Sequence, residues 1–92
     1  SKAAVLGFTR HLAREVGEYN IYVNSVAPGT TLTPRIAKVR TEEFKKMAAG
    51  LSPLGRLARA EEQAEAILFL ASDRASYITG ATLDVSGGRI MF

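Results

Sequence analysis

Ile21-Tyr22-Val23-Asn24-Ser25-Val26-Ala27-Pro28-Gly29 joins a run suited to extended backbone to a sharp stop. β-Branched residues at 21, 23 and 26 and the aromatic Tyr22 suit extended backbone, and Pro28-Gly29 stops it. The spacing predicts a strand over residues 21–27. Downstream, Ala81-Thr82-Leu83-Asp84-Val85 alternates as a second strand does, and Ser86-Gly87-Gly88 ends it, which predicts a strand over 82–85. Between them, residues 60–72 carry a helical pattern. Ala64, Ile67, Leu68 and Ala71 share one face, and Glu61, Glu62 and Glu65 favour the positive N-terminal end. A strand, a helical crossover and a strand imply a parallel pair joined by a right-handed connection.

Working outward, residues 3–17 form a further helix, with Val5, Phe8, Leu12 and Val16 at spacings of three and four. Ala3, Ala4, Leu6 and Ala13 widen its apolar surface, and a helix apolar over most of its girth expects partners on two sides. Asn20 tolerates the left-handed conformation that ends many helices. Two short helices are expected between Thr30 and Gly50, one starting with Pro34 at its first position and one after Thr41. Ser52-Pro53-Leu54-Gly55-Arg56 reads as a turn, and residues 73–80 as a loop. Parallel strands need both sheet faces covered, and a bare edge invites pairing with another chain. Pattern alone therefore describes the end of a larger α/β sheet, with residues 1–92 forming part of a single domain.

Composition narrows the function. The chain has 92 residues, 47% of them hydrophobic and 23% charged, which is globular and not disordered. With no cysteine and the single His11, neither a disulfide framework nor a zinc centre is expected. Twelve basic residues against nine acidic give a net charge of +3 and a pI near 9.6. The basic residues are scattered and accompanied by acids, without the stripe and interleaved aromatics of a nucleic-acid surface. A small nucleic-acid-binding domain fits the pI and not the charge pattern. No apolar run approaches the roughly 18 residues of a membrane span. The opening residues carry too much charge for a secretory signal, so a cytoplasmic location is the expectation.

Asn24-Ser25-Val26-Ala27-Pro28-Gly29 with Thr33 resembles the Asn-x-x-x-Pro-Gly-x-x-x-Thr motif of the short-chain dehydrogenases/reductases. Tyr77-Ile78-Thr79-Gly80 and Asp84-Val85-Ser86-Gly87-Gly88 resemble that family's closing strand and loop, and Pro53-Leu54-Gly55-Arg56 before a Glu-rich helix also matches. Ser1-Lys2-Ala3-Ala4 looks like the tail of its Tyr-x-x-x-Lys motif. These anchors stand in the right order and span nearly the whole chain. The resemblance implies the C-terminal portion of a Rossmann-like, doubly wound parallel sheet, and an oxidoreductase that uses NAD or NADP to interconvert a carbonyl and a secondary alcohol, with a small-molecule substrate and a homo-oligomeric state, dimer or tetramer.

It further implies residue roles. Lys2 would be the catalytic lysine, hydrogen-bonded to the nicotinamide ribose and lowering the pKa of a tyrosine through its charge. Pro28 and Gly29 would shape the loop under the nicotinamide ring, and the backbone of Thr31 with the hydroxyl of Thr33 would hold the carboxamide. Residues 30–51 would cover the substrate. The relay tyrosine belongs four residues before Lys2, and the Gly-rich phosphate turn belongs further upstream. No G-x-G-x-x-G pattern occurs among the 92 residues. The isolated chain is therefore expected to be inactive, and the rival reading is a non-catalytic oligomerisation module. Where the family commonly has proline or aspartate, Arg59-Ala60 leaves the 60–72 helix without an obvious side-chain cap.

Overall fold

The computed structural model describes residues 2–39 and 41–88, apart from the side chains of Lys2, Ile36, Ala37 and Val39. Helix α1 (Lys2–Val16) runs into a 3₁₀ turn (Gly17–Tyr19), and Asn20 follows at φ 59°, the left-handed helix stop the sequence suggested. Strand β1 (Ser25–Pro28) leads to a two-residue strand β2 (Thr31–Leu32) and the short helices α2 (Pro34–Val39) and α3 (Glu42–Gly50). Thr41 caps α3, its hydroxyl accepting from the Phe44 amide at 3.1 Å. A second two-residue strand, β3 (Ala58–Arg59), precedes helix α4 (Ala60–Ala71), a 3₁₀ turn (Asp73–Ala75) and strand β4 (Thr82–Val85).

β1 and β4 are adjacent and parallel, with Ser25 opposite Thr82 and Pro28 opposite Val85. The expected pair is present, but β1 begins at Ser25 and not at residue 21. The reason lies in the bonding. Val23 donates its amide to the Thr79 hydroxyl at 3.0 Å and accepts from the Gly80 amide at 2.7 Å. Extended propensity is satisfied there by a loop, so no ladder forms. The helix read over 60–72 ends at Ala71, and the loop read over 73–80 contains the 3₁₀ turn.

Asn24 fixes the register where the pair begins. Its side-chain amide donates to the Ile78 carbonyl and its carbonyl accepts from the Ala81 amide, both at 3.0 Å. The Tyr22 hydroxyl reaches the Ser76 carbonyl at 2.6 Å, and the Ser25 and Thr82 hydroxyls lie 2.7 Å apart across the strands. Residues 76–81 are thus tied to the entry of β1 by side chains that a strand pattern does not reveal.

α1 also differs from the stripe read in sequence. Val5 and Phe8 are exposed, Leu12 and Val16 of the same stripe are half-buried as is Leu6, and the residues described as buried on this helix are Thr9 and Ala13. Thr9 satisfies its hydroxyl within the helix, donating to the Val5 carbonyl at 2.7 Å. A Cβ on Gly80 would lie 3.4 Å from Ala13 Cβ, so small residues on both partners set how closely α1 approaches.

Among the described residues, the buried apolar side chains are Ala13, Ala48 and Ala75, and no large side chain is fully buried. The accessible surface is 6810 Å², against about 5200 Å² for a folded monomer of this mass. The radius of gyration is 15.3 Å, where a compact domain of this length has about 12 Å. Loop hydrogen bonds therefore carry much of the specificity. Asn24→Ala, which strips partners from Ile78 and Ala81 together, is expected to destabilise the chain by about 1–3 kcal/mol in urea titrations followed by circular dichroism.

Candidate functional site

Parallel strands place ligands at their carboxyl ends, and here those ends belong to β1 and β4. At that edge the Gly29 amide donates to the Val85 carbonyl at 3.1 Å. A Cβ on Gly29 would lie 2.9 Å from Ser86 Cα and 3.2 Å from Ser86 O, closer than side chains pack. Glycine is required by this approach of two backbones. Pro28 closes β1 and supplies no amide donor of its own.

The chain then turns through Thr30 into β2. Thr31 donates its hydroxyl to the Gly29 carbonyl at 3.1 Å, and Ala58 donates its amide to the Thr30 carbonyl at 3.0 Å. The second contact begins the parallel pairing of β2 with β3, Thr31 opposite Ala58 and Leu32 opposite Arg59. Pro28, Gly29, Thr31 and Thr33 therefore lie along one short excursion from β1 to α2. Lys2 begins α1, and its side chain lies outside the described residues.

Two elements support this loop through contacts that the sequence reading did not include. The first is the Ser52–Gly55 turn: the Ser52 hydroxyl and the Leu54 amide both donate to the Gly87 carbonyl, at 3.0 and 3.2 Å. Gly87 and Gly88 have φ of 65° and 89°, and a Cβ on Gly87 would collide with Ser52 Oγ. A cavity of about 110 Å³ lies between this turn and the Pro-Gly loop, lined in part by Gly29, Thr30, Ser52, Arg56 and Ser86.

The second support is Glu62. Its carboxylate accepts from the two terminal guanidinium nitrogens of Arg56, at 2.7 and 2.8 Å, and from the Arg59 amide at 2.9 Å. The last bond is half of a capping box and partners an amide at the N-terminus of α4. It answers the missing cap, because Arg59 presents no acceptor of its own. The Arg56 hydrogen bonds, followed by that from the Arg59 amide, hold the Glu62 carboxyl down at about 2. The spacing of Arg56 and Glu62, six residues apart across a turn, was the available signal.

The sequence profile of the family described as enoyl-(acyl carrier protein) reductase matches residues 1–89. The chain belongs to the short-chain dehydrogenase/reductase family. It is 50% identical to the 3-oxoacyl-[acyl-carrier-protein] reductase of Pseudomonas aeruginosa, over 99% of this chain and 36% of that protein. A 3alpha-hydroxysteroid dehydrogenase of Mediterraneibacter gnavus is 52% identical, over 95% of this chain and 34% of that one. A solved 3-oxoacyl-[acyl-carrier protein] reductase with bound NAD from Brucella melitensis superposes with a TM-score of 0.85 at 42% identity, covering 99% of this chain and 32% of that one. The chain thus spans about a third of the length of the relatives it matches. The parallel α/β layout read from pattern and the Rossmann-like fold that the resemblance implied are confirmed by this superposition, as is the family resemblance.

The Glu62 carboxyl sits far below its ordinary 4.5, so the folded state favours the ionised form more than the unfolded chain does. The stability this contributes is fully present above about 4.5 and is lost as pH falls toward about 2. Thermal unfolding across that window is expected to show an acid-side decline in melting temperature that Glu62→Gln reduces.

Proposed function

We propose that this chain is the nicotinamide-side portion of an NAD(P)-dependent oxidoreductase that interconverts a carbonyl and a secondary alcohol. The observation that carries the reading is the contact of Gly29 with Ser86 at the carboxyl ends of two parallel strands, followed at once by Thr31 and Thr33. A glycine in that position allows a planar ring to approach backbone closely. In this reading the Thr31 backbone and the Thr33 hydroxyl hold the carboxamide, and Pro28 with Gly29 floors the ring. Lys2 binds the ribose and, as a cation, favours the anionic form of a neighbouring phenol. The cofactor, when bound, supplies or accepts the hydride. Residues 30–51 close over the substrate and keep water from the carbonyl. The names of the relatives support a substrate class of carbonyl compounds broad enough to include acyl thioesters and steroids.

The test is a chimera in which residues 1–92 replace the matching third of the Pseudomonas aeruginosa reductase. It is expected to oxidise NADH or NADPH with a 3-oxoacyl thioester. Lys2→Met should lower kcat roughly 100-fold or more, and Thr33→Val should raise the cofactor KM. The 92-residue chain alone should show no turnover, since positioning supplies many orders of magnitude of rate. A chimera that folds and binds neither dinucleotide sinks the reading.

A second reading, an assembly module, is favoured by the exposed Val5 and Phe8 of α1 and Ile67 and Leu68 of α4. Burying each large apolar side chain stabilises by about 1.5–3 kcal/mol, and β1 pairs only with β4 among the described residues. Sedimentation velocity at micromolar concentration is expected to show dimers or larger species of the 92-residue chain. A single sharp species at 9.9 kDa would contradict it.

A further inference from the structure

We infer that Gln63, on the first turns of α4, is the positioning residue that sets the orientation of the Gly29 peptide. Its side-chain nitrogen donates to the Val85 carbonyl at 2.9 Å and makes a longer 3.4 Å contact with the Thr31 hydroxyl oxygen. Thr31 in turn donates to the Gly29 carbonyl at 3.1 Å, while the Gly29 amide donates to the same Val85 carbonyl at 3.1 Å. The bonds close a ring that leaves the Gly29 peptide by its carbonyl and returns to the residue by its amide. Both faces of the turn are thereby tied to α4 through one side chain.

The amide orientation is dictated by chemistry. Reversed, Gln63 would set an oxygen against the Val85 carbonyl oxygen, two acceptors with no proton between them. In the orientation that donates, Gln63 Oε1 is buried and finds no partner among the described residues. A hydrocarbon side chain of similar length would fill the site without leaving a buried acceptor unpaired, so the amide is unfavourable as packing alone. What it provides is a donor aimed at the junction of β4, β2 and the Pro-Gly turn. The functional weight of this role rests on reading residues 28–33 as the nicotinamide loop.

Residue-resolved hydrogen exchange on the 92-residue chain tests it without any cofactor. The unaltered chain should protect the Gly29 amide and hold Thr31 in one χ1 rotamer, read from scalar couplings. Gln63→Met should raise Gly29 exchange roughly tenfold and average the Thr31 rotamer, while the Ser25 amide, bonded to the Ala81 carbonyl at the far end of β1, stays unchanged. Thr31→Val should do the same to Gly29, and the double variant should add nothing to either single change, since one ring is broken once. The inference is overturned if Gly29 exchanges freely in the unaltered chain or is unmoved by Gln63→Met. It is also overturned if Gly29 and Ser25 loosen together, or if the two substitutions act additively. A chimera that fails to bind dinucleotide would sink the functional reading and leave these exchange results standing, so the two failures are separable.

Discussion

Gly29 and Ser86 lie so close that no side chain fits between their backbones, and the rest of the described structure is arranged around that approach. It brings the carboxyl ends of β1 and β4 into register, with Pro28 opposite Val85. It aims the following residues into β2, where Thr31 can reach back to the Gly29 carbonyl. It also places Gly87 where the Ser52–Gly55 turn can bond to it, which draws in the segment between α3 and β3. A backbone contact of this kind tolerates little error, because displacement by a fraction of an ångström either breaks the Gly29 hydrogen bond or creates a clash.

The supports of that contact are polar and come from distant parts of the chain. Asn24 clips residues 78–81 at one end of the strand pair, and Gln63 and the Ser52 turn hold the other. Arg56 and Glu62 fasten the approach to α4, so the helix begins where the loop needs it. Apolar burial contributes less than in an ordinary domain of this length, since the buried apolar side chains described are alanines. Polar bonds are directional and specify geometry well, but each adds only about 0.5–1.5 kcal/mol net. Precision at the loop and exposure on α1 and α4 are thus two sides of one construction.

That division has a functional logic. The strand ends and the loop between β1 and α2 present backbone and small side chains, and α2 begins at Pro34, directly after Thr33. In the proposed reading, such a surface sits against a flat aromatic ring and leaves recognition of the substrate to residues 30–51. Relatives named as a 3-oxoacyl-[acyl-carrier-protein] reductase and a 3alpha-hydroxysteroid dehydrogenase are 50% and 52% identical to this chain over the part of their length that it matches.

Sequence by itself determined the parallel α/β layout, the helices α1 and α4, the helix starts at Pro34 and after Thr41, and the strand stop at Pro28-Gly29. Each rests on local physics: periodicity, capping, proline geometry and turn chemistry act within a few residues and can be read from them. The family resemblance was also legible, because its anchors sit at fixed intervals. Only the tertiary structure decided that β1 starts at Ser25, that β2 and β3 pair, and that the inward face of α1 is the small-residue face opposite Gly80. It alone joined Arg56 to Glu62 and brought Gln63 to Val85 and Thr31, the latter 22 and 32 residues apart in the chain. The physical reason is common to all of these. An extended segment takes whichever hydrogen-bond partner arrives, a helix buries whichever face can approach most closely, and a single polar side chain carries no periodic mark of what it will meet.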